Sequence, residues 1–167
     1  MKETEGIGMT AQPTHEAHVT TASIDLLSGS LRSLDTAITA QRAGERYVAA
    51  HLAALRAAAA LLAAHARPHT RKPTSAWVLV SKVVPDFAEW AAYFASGAGK
   101  RAAAEAGLGG AVTPREADDM VRDAHEFILL VAERLGVSRQ LVFPQVSDDA
   151  NNDVPNNVVA LRRIQRL

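Results

Sequence analysis

Two residues near the front of an alanine-rich stretch have types and a spacing that could do chemistry. Arg46 and His51 are separated by four residues in Arg46-Tyr47-Val48-Ala49-Ala50-His51. A histidine near its ordinary pKa of about 6.5 can exchange a proton at neutral pH, and a guanidinium can grip a phosphate through paired donors. On a helix, five steps of about 100° leave the two side chains about 140° apart, so one chain does not aim both at a common phosphate. Two helices facing each other across a cleft could. A plainer reading stands beside this one. His51 lies one turn after Tyr47 and one before Leu55, where a hydrogen-bonded core or interface histidine is ordinary, and Arg46 in a first turn is ordinarily exposed. Ligand binding without chemistry is the third alternative for the pair.

The other constellations are weaker. Arg67, Arg71 and Lys72 form a basic cluster between Pro68 and Pro73, a candidate for phosphate or RNA contact, though such a loop is commonly just solvated. His15 and His18 have no third ligand near them, and Pro68 breaks the helical spacing between His65 and His69, so no metal site is expected. Glu116, Asp118, Asp119, Asp123 and Glu126 read as a solvated helix face, with Asp118 offered Arg122 one turn later. The chain has no cysteine, which removes thiol nucleophiles and thiolate-bound zinc. It shows no glycine-rich phosphate loop, serine elbow or zincin pattern either, and no cofactor is expected.

The elements that must position these residues are helices. Glu45 to Ala66 contains no Gly or Pro, and Val48, Leu52, Leu55, Ala59 and Leu62 mark its expected apolar face. A helix over about His18 to Ala40 precedes it, with Leu27, Leu31, Leu34 and Ile38 as its stripe. The short connection at Gln41 to Gly44 makes the two an antiparallel hairpin. From Ser75 to Ala95, Trp77, Val80, Val84, Phe87, Ala91 and Phe94 repeat at helical steps, which favours a helix broken at Pro85 over a strand through Val78 to Val84. Ser96 to Gly99 is expected to loosen the chain before a short helix over Lys100 to Ala106 and a loop to Thr113. Thr113-Pro114-Arg115-Glu116 then announces a helix running to Leu135, stopped by Gly136. Its expected core face is Ala117, Val121, Ala124, Ile128, Val131 and Leu135. Residues 1–16 are expected to be a disordered tail, residues 17–136 the helical bundle, and residues 137–167 a loosely packed or disordered tail.

Composition bounds what such a bundle can do. With 167 residues, 48% of them hydrophobic, one domain with its own core is expected. Eighteen basic and eighteen acidic residues cancel, which disfavours work done mainly by gripping the phosphates of duplex nucleic acid. The longest uninterrupted apolar run, Ala57 to Ala64, falls short of the roughly 20 residues that span a bilayer, so no membrane association is expected. The acidic, unhydrophobic start MKETEGIGMTAQPTHEAH is no secretory signal, and a cytoplasmic location follows as the expectation.

Residues about 17 to 135 resemble the HEPN domains of short, alanine-rich bacterial proteins. The likeness is carried by the Arg46 and His51 spacing and by the phrases ERYVAAHLAALRAAAALLA, AWVLVSKVVPDFAEWAAYFA and READDMVRDAHEFILLVAERLG. The resemblance implies an all-α, antiparallel bundle of four or five helices that commonly forms a homodimer. It also implies RNA or nucleotide binding and, in many relatives, a metal-independent endoribonuclease. In such an enzyme His51 would take the proton of an RNA 2′-hydroxyl and Arg46 would hold the charged phosphorane, the two meeting at a dimer interface. The alternative expectation is a non-catalytic helical subunit that binds a protein partner, as in a toxin–antitoxin pair. The aromatic segment Trp77 to Phe94 or the alanine face of the second helix would supply its surface.

Overall fold

In the computed structural model, residues 18–65 and 74–137 are described. The expected N-terminal tail, the expected C-terminal tail beyond Val137, and the basic cluster Arg67, Arg71 and Lys72 lie outside the described residues. Five α-helices follow in order: α1 (Thr21–Thr39), α2 (Ala43–His65), α3 (Ala76–Val83), α4 (Ala88–Glu105) and α5 (Pro114–Arg134). A single 3-10 turn, Pro85–Phe87, joins α3 to α4, and no strand occurs among the described residues. The expected all-α bundle is what the chain forms.

Local chemistry explains several of the helix ends. Thr20 caps α1, its side chain accepting from the Ser23 N–H while Ser23 returns a bond to the Thr20 N–H. Thr113 and Glu116 make the same reciprocal arrangement at α5, with Pro114 in the first turn. Gly136, at a φ of 66°, takes the left-handed conformation that closes α5. Pro85 cannot donate a backbone hydrogen bond, so the chain breaks there and resumes as α4.

α2 is the hub: it packs against α1, α3, α4 and α5. It runs antiparallel to α1, the Ser30 hydroxyl donating to the Ala53 carbonyl at 2.7 Å and the His18 N–H to the Ala64 carbonyl at 3.0 Å. The face it buries is not the one its leucines mark. Tyr47, Ala50, His51, Ala53, Ala54, Ala57, Ala58, Ala60, Leu61 and Ala64 are buried, whereas Val48, Leu52, Leu55, Ala59 and Leu62 are each partly exposed. At about 100° per residue the buried set covers about half the circumference, centred on the alanines. Methyl side chains let four helices approach one axis closely. A hub ringed by leucines would hold them further off.

Three further expectations need correcting. Ser96 to Gly99 does not loosen the chain, because α4 is continuous from Ala88 to Glu105. Gly97 is there for close packing: a Cβ at this position would stand 2.6 Å from the Tyr47 hydroxyl oxygen. Asp118 pairs with Arg46 across helices, and Arg122 turns instead to Asp119 at 2.8 Å and Asp123 at 3.0 Å. Finally, α2 is long and apolar enough to cross a bilayer by length and composition, with a mean hydropathy of 1.6 over its best window. Counting only uninterrupted apolar residues hides this. Since 61% of that window is buried inside the bundle, burial among the other helices accounts for its character.

Candidate functional site

His51 stands on the buried side of α2 at 2% exposure. Its ring is surrounded by aromatic neighbours: Tyr47 stacks on it at a centroid distance of 6.4 Å, while Trp77 at 6.0 Å and Phe94 at 6.2 Å meet it edge to face. Trp77 and Phe94 are positioned by the stripe through α3 and α4, which is buried at every one of its six positions from Trp77 to Phe94. The Nε2 atom lies 2.9 Å from the Phe94 carbonyl oxygen. A carbonyl can only accept, so this nitrogen carries the proton and the neutral ring is the Nε2–H tautomer. Nδ1 is then a bare lone pair, buried and with no hydrogen-bond partner among the described residues. Burial pushes the pKa of His51 below its usual value, against a smaller upward pull from the Phe94 carbonyl.

Arg46 lies five residues earlier on the same helix, about 140° round it, and faces elsewhere. Its guanidinium forms an ion pair with Asp118 of α5, with the arginine side chain 26% exposed. The structure therefore places Arg46 at the surface and His51 inside. The two expected partners do not share a cleft within one chain.

A different group of side chains does converge. α4 and α5 run antiparallel, and a groove of about 240 Å³ opens between them, lined by Tyr47, Tyr93, Ser96, Gly97, Lys100, Glu116, Asp119 and Met120. Lys100 bonds to Glu116, and the other oxygen of Glu116 takes the Thr113 N–H and hydroxyl at 2.8 Å each. These donors, the lysine first, hold the Glu116 carboxyl down at about 2. Tyr93 donates its hydroxyl to Asp123 at 2.5 Å, and burial together with this bond raises its pKa. Tyr47, only 4% exposed, sends its hydroxyl to the Gly97 carbonyl at 3.4 Å, long for such a bond. Burial likewise raises the Tyr47 pKa, so the phenol keeps its proton. Sequence reasoning missed this grouping, because it depends on the α4–α5 register and on a continuous α4. Among the described residues no cluster of three or more metal-ligating side chains occurs.

A family model for SAV_6107-like HEPN domains matches residues 37–132, more than half of the chain. The chain belongs to this HEPN family. The match runs from the end of α1 through nearly all of α5, so it covers the hub helix, the buried histidine and the groove. No curated protein and no solved structure matches the chain. The HEPN membership rests on the family match, and the helical bundle is consistent with it.

Proposed function

We propose that this HEPN protein is a non-cleaving helical module that works by pairing with a second copy of itself through the outward face of α2. One observation carries both halves of the reading: α2 turns its histidine, most of its alanines and Leu61 inward, and leaves Val48, Leu52, Leu55 and Leu62 partly exposed on the opposite side. The inward turn leaves His51 with no route to a substrate, since a general base must come within hydrogen-bond reach of the proton it removes. Its own proton is committed to the Phe94 carbonyl. The ribonuclease expectation would require the ring to leave an aromatic enclosure and Arg46 to leave Asp118.

The outward turn leaves a seam. Val48, Leu52, Leu55, Ala59 and Leu62 follow steps of four, three, four and three, the spacing by which two helices interlock, and the stripe is about 21 Å long. Such a stripe is complementary to its own copy about a two-fold axis. A second copy is therefore the occupant this surface fits. The test is sedimentation of the full chain with and without Leu52→Glu, a substitution at a partly exposed site by a good helix former. A dimer in the wild type and a folded monomer in the variant are expected, with no cleavage of single-stranded RNA by either. A wild type that stays monomeric, or RNA cleavage lost specifically on His51→Ala, would overturn the proposal.

A further inference from the structure

The groove between α4 and α5 takes no part in that pairing, because its base, Tyr47, sits on the buried arc of α2 while the pairing stripe occupies the opposite, partly exposed one. We infer that this groove binds a small, uncharged ring carrying adjacent hydroxyl groups, as on a free monosaccharide or the ribose of a nucleoside. The charged groups of the lining are already engaged in ion pairs. Lys100 is paired with Glu116, and Asp119 shares Arg122 with Asp123. A ligand with net charge would meet side chains whose charges are already balanced and would bring an uncompensated charge into the groove, whereas a neutral one would not.

What remains unspent is a mixture of donors and acceptors. The Tyr47 hydroxyl holds only its long bond to Gly97, and an ammonium has three protons of which Glu116 engages one. The second carboxylate oxygen of Asp119 and the hydroxyl oxygens of Tyr93 and Ser96 accept no hydrogen bond among the described residues. Only groups that both give and receive, as hydroxyls do, satisfy such a set at close quarters. Met120 at the floor and the phenol rings offer apolar surface for the C–H face of a ring. Gly97 is what opens the base, since a side chain there would collide with the Tyr47 hydroxyl. The groove runs about two turns of α4, roughly 10 Å from Tyr93 to Lys100, which suits one sugar ring and excludes an oligomer lying lengthwise.

The test is an amide NMR titration of the full chain with glucose, ribose and adenosine as neutral probes, and with glucose 6-phosphate and glycine as charged comparators. Saturable shifts confined to residues around Tyr93, Gly97, Lys100 and Met120 are expected with at least one neutral probe. The glucose and adenosine arms separate the two sources of the diol. Tyr47→Phe and Lys100→Met should each weaken that binding by about threefold to tenfold, the effect of one lost hydrogen bond. Ser96→Trp, at an exposed position over the mouth, should abolish it while leaving the fold intact. Absence of saturable shifts up to about 50 mM of every neutral probe, tighter binding of a charged comparator, or indifference to all three variants would overturn the inference. None of these outcomes bears on whether α2 pairs with a second copy.

Discussion

Gly97→Ala should change sign with the presence of a single oxygen atom 50 residues earlier in the chain. An added Cβ would stand 2.6 Å from the Tyr47 hydroxyl oxygen, but 3.5 Å from His51 Cδ2 and 3.5 Å from Met120 Cε. The last two are ordinary contacts; the first is not. Tyr47 is 4% exposed and stacked on His51, so the phenol has little room to retreat. Overpacking of this kind costs about 1–3 kcal/mol, offset by about 1 kcal/mol because alanine is the better residue in a helix interior. Gly97→Ala alone should therefore be destabilising by up to about 2 kcal/mol. With Tyr47→Phe in place the obstacle is gone, and the same change should stabilise by about 1 kcal/mol. The coupling between the two sites, read from a double-mutant cycle of urea unfolding, should be about 1–3 kcal/mol. Additive effects in the two backgrounds would refute the claim that a glycine at position 97 exists to admit the phenol.

Three other predictions follow from the same geometry. Because burial lowers the pKa of His51, the unfolded chain takes up a proton below about pH 6.5 that the folded ring refuses. This contribution is fully present above that pH and lost as pH falls, by up to about 1.4 kcal/mol per unit until the folded pKa is reached, a slope that His51→Leu should flatten in urea unfolding between pH 7.5 and 5.5. Phe94→Ala removes a fully buried ring that touches Trp77, Trp90, Tyr93, Phe127 and His51, and should cost about 3–5 kcal/mol in the same assay. Thr113→Ala removes the hydroxyl that accepts the Glu116 N–H, and should lower stability by about 1 kcal/mol, measured as a shift of the unfolding midpoint.

What could be read from the sequence was what its residues announce locally or by size. Thr113, Pro114 and Glu116 mark the start of α5 without help from the rest of the fold, and Pro85 marks the break before α4. The aromatic stripe from Trp77 to Phe94 is legible because large rings must be buried somewhere, and their period names the face. α2 defeated the same logic. Alanine is apolar on every side, so period alone weights Val48, Leu52, Leu55 and Leu62, yet a helix enclosed by four neighbours needs its smallest residues inside. The placement of His51 went with that face. Ser96 to Gly99 looks like a breaker by composition, and only the approach of Tyr47 explains a glycine inside a continuous helix. Asp118 and Arg122 have the spacing of a same-helix pair, but Arg46 on the neighbouring helix takes the carboxylate first. The groove needed two helices in register, which no local pattern encodes.

The buried histidine is the most direct test of the whole account, through ¹⁵N and ¹H resonances of its ring followed from pH 8 to pH 5 with and without a single-stranded RNA oligonucleotide. The account expects a slowly exchanging Nε2–H, a bare Nδ1, no midpoint near 6.5 and no response to RNA. A ring that titrates like a solvated imidazole and shifts when RNA is added would contradict it.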